Sequence, residues 1–257
     1  LLSGLVNGHH GYAFRIGAVL FTAIITCSLL APLLVSHDPS AQNLLRRFST
    51  PSAQYWLGTD HLGRDVAGRL LMGGRFALVI ATVTLVLSCV IGTLVGVLSA
   101  RVGGTVDEVA MRAVDLLISF PDVIVAVFLM AILGPGSITL IVALTIVGWT
   151  PFARLARGLA LEINNRDYIR AAEILGCSRS FIIFRHIIPN TIRPIAAVAF
   201  LRFGHKLITV GGLSFIGLGV QPPTPDWAAM MAEAQPFIDR APLLVVCPGL
   251  AIFLTAL

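Results

Sequence analysis

The sequence predicts an all-α membrane protein of six spanning helices, and three observations predict it. Of 257 residues, 56% are hydrophobic and only 12% charged, against about 25% charged in a soluble globular domain. A water-soluble fold so poor in charge could not cover its own surface, so lipid is the solvent for much of the chain. The apolar residues also gather into runs approaching the roughly 20 residues that a helix needs to cross a bilayer. Polar, Pro and Gly residues collect between those runs.

Taken in order, the runs cover about 14–35, 76–100, 110–133, 137–157, 194–219 and 242–257, the last cut off at Leu257. The first is too long for a signal-peptide core and lacks a small-residue cleavage site, so it reads as a retained anchor. The second is uncharged throughout, and its Gly92-x-x-x-Gly96 spacing, with Ala100 four residues on, suits close helix packing. The third holds Pro121 after Phe120, which predicts a kink. The fourth is interrupted near its end by Pro151, and the fifth carries Arg202, His205 and Lys206. The connections divide into a polar segment at 36–75, a Gly-Gly turn at 101–109, a tight Gly-Pro-Gly reversal at 134–136, a long Arg-rich loop at 158–193 and a Pro-rich one at 220–241. The whole reads as one transmembrane domain over 1–257.

Charge sets orientation. The net charge is +5, from 17 Arg and the single Lys206 set between the apolar runs. That distribution points to membrane topology, anionic lipid and cytosolic partners rather than nucleic acid. With the N-terminus cytosolic, ten arginines (15, 101, 112, 154, 157, 166, 170, 179, 185 and 193) fall inside and six (46, 47, 64, 69, 75 and 240) outside. This favours N-in, with 36–75 extracytoplasmic and 158–193 cytosolic.

Catalytic motifs are missing. Lys206 is followed by Leu207, so the P-loop pattern is excluded, and neither HExxH nor GxSxG occurs. The cysteines at 27, 89, 177 and 247 lack CxxC spacing, which argues against a disulfide framework or zinc site. No catalytic or metal residue is assigned.

The 158–193 loop is the most informative segment. Asp167 is placed to cap a short helix that Gly176 stops. Ser178 is placed to cap a second, with Pro189 following its end. Tyr168, Ala172 and Leu175 share a face of the first, and Phe181, Phe184 and Ile188 a face of the second. Two such amphipathic helices need a surface to bury against, either a partner or the lipid interface.

Arg202, His205 and Lys206 are spaced three and four apart, on one helical face. Charge at membrane depth costs at least about 2.5–3.5 kcal/mol and marks a functional candidate by default. That face is a candidate pathway lining that meets a carboxylate of the solute. The structural alternative has Arg202 snorkelling to the surface and Lys206 paired to an acid of a neighbouring subunit. In 36–75, Asp60, Arg64 and Asp65 are spaced to pair across a turn.

Several of these residues also carry a resemblance. Ala171-Ala172, then Gly176, then Pro189 thirteen residues later, resembles the EAA loop of ABC-importer membrane subunits. The match departs at Arg170, where the family has Glu, and at His186 and Ile188. Leu57-Gly58-Thr59-Asp60-His61-Leu62-Gly63-Arg64-Asp65 and the stretch from Leu213 to Pro223 resemble the dipeptide/oligopeptide/nickel permeases, most nearly the C-type subunit of the dipeptide systems. The likeness runs from about residue 14 to the end.

The resemblance implies a type I ABC importer permease fold in a bacterial cytoplasmic membrane, with the sixth span continuing past Leu257. It implies a heterodimer with a second permease, two ATP-binding subunits or one fused ATPase, and an extracytoplasmic solute-binding protein. ATP and Mg belong to the ATPase subunits, with no cofactor in this chain. Arg170, Ala171, Ala172, Glu173, Gly176 and Pro189 would form the ATPase-coupling surface; either Glu173 stands in for the acid that Arg170 replaces, or the partner ATPase has changed to match. For Asp60, Arg64 and Asp65 the resemblance implies, instead of a pairing across a turn, a place at an outer mouth. The implied solute is a dipeptide or oligopeptide, with nickel or glutathione as alternatives in the family. A gradient-driven secondary transporter is a more distant alternative, since it would need ionisable groups at the midplane and only Asp115 and Asp122 come near one.

Overall fold

A computed structural model describes residues 9–35 and 38–257. The start of the chain, 1–8, and two residues of the expected 36–75 segment, 36–37, lie outside the described residues.

Every regular element among the described residues is helical, apart from one isolated bridge between Thr59 and Asp65. The α-helices are α1 (His9–Leu29), α2 (Ala31–Leu34), α3 (Val66–Val102), α4 (Gly104–Ile118), α5 (Asp122–Leu133) and α6 (Ser137–Gly148). They continue with α7 (Thr150–Asn164), α8 (Asp167–Ile174), α9 (Arg179–Ile182), α10 (Ile188–Phe215), α11 (Trp227–Ala234) and α12 (Leu243–Ala256). By length and composition, Val66–Val102, Ser137–Asn164 and Arg179–Phe215 can each cross a membrane. The bent pair α4 and α5 makes a fourth if taken as one broken span. Gly17–Leu29 and Leu243–Ala256 are shorter apolar helices.

Proline explains where these helices bend and where they do not. Pro121 precedes α5, and α4 and α5 diverge by 90° around it, far more than a kink within one helix. Its ring disfavours helical backbone at Phe120, which forces the chain out of α4 before α5 restarts. Pro151 sits in the first turn of α7, where a missing N–H costs nothing, so apolar helix continues to Asn164, beyond the expected end at 157.

Pro189 does not end the second short helix of the 158–193 loop, as its sequence position suggested. Helix continues from Arg179 to Phe215 through a π-helical turn at Ile183–Ile187. The N–H of Ile188 donates to the carbonyl of Ile183, five residues back, and this wider turn leaves room for a ring that would clash in a regular α-turn.

The chain divides into two compact units. One holds the residues up to Ala81, Pro135–Ser137 and Gly204–Leu257. Within it α1 and α11 both pack on α12. Val66, Met230, Ala234 and Leu244 form its apolar centre, with Phe48, Leu57 and Leu70 against them.

The other unit holds Thr82–Gly134 and Ile138–Phe203. Its core joins Val97 and Ala100 of α3, Phe152, Ala156 and Ala160 of α7, Ile169 and Ala172 of α8, and Ile182, Ile187 and Ile195 further on. Here the Gly92-x-x-x-Gly96 spacing has its use. A Cβ on Gly92 would overlap the carbonyl oxygen of Trp149, and one on Gly96 that of Ala153. The two helices therefore meet backbone to backbone, and α7 answers with fully buried Ala153, Ala156 and Ala160.

Candidate functional site

Three groups of residues stand out, beginning with the loop after α7. Asp167 is the first residue of α8 rather than its cap. The cap position is Arg166, which contributes no side-chain bond, and Asp167 supplies negative charge to the first turn. The C-terminal end closes as a Schellman motif. Gly176 has φ +79, its N–H donates to the carbonyl of Glu173 (3.0 Å), and that of Cys177 donates to Ala172 (3.0 Å). A side chain at that φ would be strained, which is why glycine stands there. Ser178 caps α9 by accepting from the N–H of Phe181 at 3.2 Å.

The loop has two apolar faces, one buried and one turned outward. Ile169 and Ala172 are the buried residues of α8, and Ile182, Ile183 and Ile187 those of the following turns. Tyr168, Leu175, Phe181 and Phe184, expected to bury against a partner or the lipid interface, are exposed, together with Ile174. The expected face is the outward one except at Ala172, which is buried, and Ile188, which is partly so, while Ile169, Ile182, Ile183 and Ile187 fill the core behind it. Arg170, Ala171, Glu173, Gly176 and Pro189 are exposed as well, while Ala172 is buried. Glu173 has an internal partner that the sequence did not reveal, Arg101 at the end of α3, with Nη2 2.5 Å from Oε1.

The second group lies around the turn at 59–65. Asp60 accepts from the backbone N–H of Leu62 (2.8 Å) and of Arg64 (2.9 Å), and its other oxygen accepts from Arg64 Nε at 2.6 Å. Of the three residues singled out here, Asp60 and Arg64 do pair across the turn. Asp65 instead caps α3 by accepting from the N–H of Ala67 (3.3 Å) and of Gly68 (3.0 Å).

Two further members come from elsewhere in the chain. Glu233 of α11 accepts from both Arg64 Nη2 and Arg69 Nη2. Both guanidinium side chains are at least 96% buried, so the two acids balance two cations out of water. Arg69 Nη1 remains without a protein partner.

His61 stacks on Phe237, and burial lowers its imidazole below the ordinary value of 6.5. Asp226 caps α11 through the N–H of Ala228 and Ala229, both at 3.0 Å, and burial pushes its carboxyl up. Trp227 donates from Nε1 to the carbonyl of Leu70 at 2.7 Å. Asp60, His61 and Glu233 offer ligand atoms within 4.8 Å of one another, a spacing a metal ion could use. Both carboxylates are already committed to guanidinium groups whose charge opposes a cation, so the donors fit an ion-pair cluster better than a metal centre.

The third group is on α10. Arg202 and His205 are exposed, whereas Lys206 is 8% exposed and turned inward. Their helical spacing holds, but their surroundings differ.

Comparisons with known proteins agree on one family. Residues 92–257 match the model of the binding-protein-dependent transport system inner membrane component. The chain is 34% identical over 242 residues to the dipeptide transport system permease protein DppC of Alkalihalophilus pseudofirmus, covering 94% of this chain and 80% of that protein. It is 37% identical over 249 residues to the di/tripeptide transport system permease protein DppC of Pseudomonas aeruginosa, covering 94% and 82%. It is 32% identical over 246 residues to the nickel transport system permease protein NikC of Escherichia coli, covering 96% and 89%. A helical, lipid-suited chain that matches this family over residues 92–257 and these permeases over more than nine-tenths of its length belongs to the binding-protein-dependent transport system inner membrane components.

Proposed function

We propose that this chain is the membrane-spanning permease subunit of an ATP-driven importer of dipeptides or oligopeptides, and that the 167–189 loop couples it to ATPase subunits. The observation that carries the coupling reading is the outward apolar face of that loop. Tyr168, Ile174, Leu175, Phe181 and Phe184 are all exposed on a segment whose other face is anchored in a core. Apolar side chains at this density on a core-anchored helix pair suit a protein groove.

In this reading the chain has six spans and its N-terminus in the cytosol, α1 and α12 being the first and last spans. Its partners are a second permease, ATPase subunits that bind ATP and Mg, and an extracytoplasmic binding protein. Arg170, Ala171, Ala172, Gly176 and Pro189 belong to the coupling segment. Arg202, His205 and Lys206 are pathway candidates, and Asp60 and Arg64 hold the outer turn in shape. Peptide is preferred as solute because two of the three relatives described are peptide permeases.

The test is purification from native membranes in mild detergent, followed by reconstitution of what co-purifies. The expected result is a P-loop ATPase, a second permease and a solute-binding protein, with peptide uptake that needs ATP. Recovery of the chain alone, with uptake surviving ATP depletion, would overturn the reading.

A further inference from the structure

We propose that Arg101 and Glu173 form the tie that carries movement of the coupling loop into α3, so that Glu173 works inside this subunit. The proposal rests on the importer reading above.

One guanidinium gathers three elements. Arg101 stands in the last turn of α3, 13% exposed, with Nη2 2.5 Å from Glu173 Oε1 on α8 and Nη1 3.4 Å from Asn164 Oδ1 at the end of α7. Asn164 returns a bond from Nδ2 to the carbonyl of Ala100, at 3.5 Å.

The rest of the α8 anchorage is apolar, through Ile169 and Ala172. Such contact is non-directional and by itself ties no atom of α8 to one partner on α3. A largely buried guanidinium is different, because its donors are fixed in a plane and it cannot lose its acceptor cheaply. Glu173 therefore fixes the register of α8 on α3.

The backbone reinforces this. The carbonyl of Glu173 accepts from Gly176 in the turn that ends α8, so the residue that grips Arg101 also anchors the loop's bend. A push on the outward apolar face can pass inward through this pair, whose guanidinium is 13% exposed, whereas the Arg166–Glu162 pair at the start of α8 is exposed.

The experiment uses the complete importer in proteoliposomes and reads peptide imported per ATP hydrolysed. Glu173→Gln removes the charge at a half-exposed position, and Arg101→Glu reverses its partner. Each is expected to lower that ratio at least about fivefold while ATP hydrolysis continues, and the swap R101E/E173R to restore it to within about twofold, as for residues coupled directly. A Glu173→Gln complex with an unchanged ratio would overturn the proposal, as would a swap no better than the single variants. Peptide uptake by the unaltered complex that needs no ATP would strike down the importer reading, and the proposal with it.

Discussion

Arg157 on α7 and Asp107 on α4 meet as a two-pronged ion pair, Nε and Nη2 each standing 2.6 Å from a separate carboxylate oxygen. Two turns further along α4, Asp115 pairs with Arg154. The two pairs join the same helices but differ in burial. The Asp107 side chain is 16% exposed and that of Asp115 62%. Charge-assisted bonds removed from a shielded site cost about 1.5–3 kcal/mol, whereas exposed pairs contribute about 0–1 kcal/mol. Asp107→Asn is expected to lower the melting temperature in detergent clearly, and Asp115→Asn hardly at all.

Glu233 is the acid that two buried guanidinium groups share. Glu233→Ala leaves Asp60 alone to balance Arg64 and Arg69, and breaking a buried pair by removing one partner costs about 3–5 kcal/mol. Asp65→Ala, which removes only a helix cap, is expected to cost about 1 kcal/mol. Thermal unfolding of the two variants, ranked in that order, checks the assignment.

Gly96 sets how closely α3 approaches α7. The Cβ of Gly96→Ala would meet the carbonyl oxygen of Ala153 and the Cβ of Ala156, and both are buried. Overpacking of this kind costs about 1–3 kcal/mol. Measured stability should fall by that amount. Gly158→Ala, where a Cβ meets nothing within 4 Å, should be neutral or slightly stabilising, since alanine is the better helix former.

Two groups near α11 give opposite dependences on pH. Burial lowers His61, so the folded state favours the neutral ring. Its contribution is complete above the unfolded value near 6.5 and is lost as pH falls through the lower folded value. His61→Phe, which keeps a ring for Phe237 to stack on, should flatten that loss in unfolding measured from pH 7.5 down to 5.

Asp226 runs the other way. Burial raises its carboxyl, so ionisation disfavours the folded state and its contribution is greater at acid pH than at neutral. Asp226→Asn retains an oxygen for the N–H groups of Ala228 and Ala229 and removes the buried charge. At pH 7 it should be as stable as the original or more so, while Asp226→Ala loses about 1 kcal/mol with the cap.

What the sequence disclosed depended on separation along the chain. Asp60 and Arg64 are four residues apart in a turn, and Ser178 stands three before the N–H it caps, so local chemistry was enough for both. Arg69 and Glu233 are 164 residues apart, and Arg101 and Glu173 are 72 apart; nothing local joins either pair. The inward faces of α8 and the turns after it went unread for another reason. Periodicity shows that an apolar face exists, but both faces of this loop are apolar, and only packing reveals that Ile169, Ile182, Ile183 and Ile187 lie inside and the aromatics outside. Proline misled at 189 because its effect depends on the turn before it, and a π-turn leaves no composition signal.

That wide turn also keeps angular phase. Ile183, Ile187, Thr191 and Ile195 follow at intervals of four, and all are buried. In an uninterrupted α-helix each such step advances the side chain by about 40°, so three steps would carry the row about a third of the way round the axis. The turn at Ile183–Ile187 winds more slowly and gives back part of that advance. It holds a single residue of slack, and removing one residue there would rotate Ser178 and α9 by about 100° against α10, turning Phe181 and Phe184 away from the side on which they now stand.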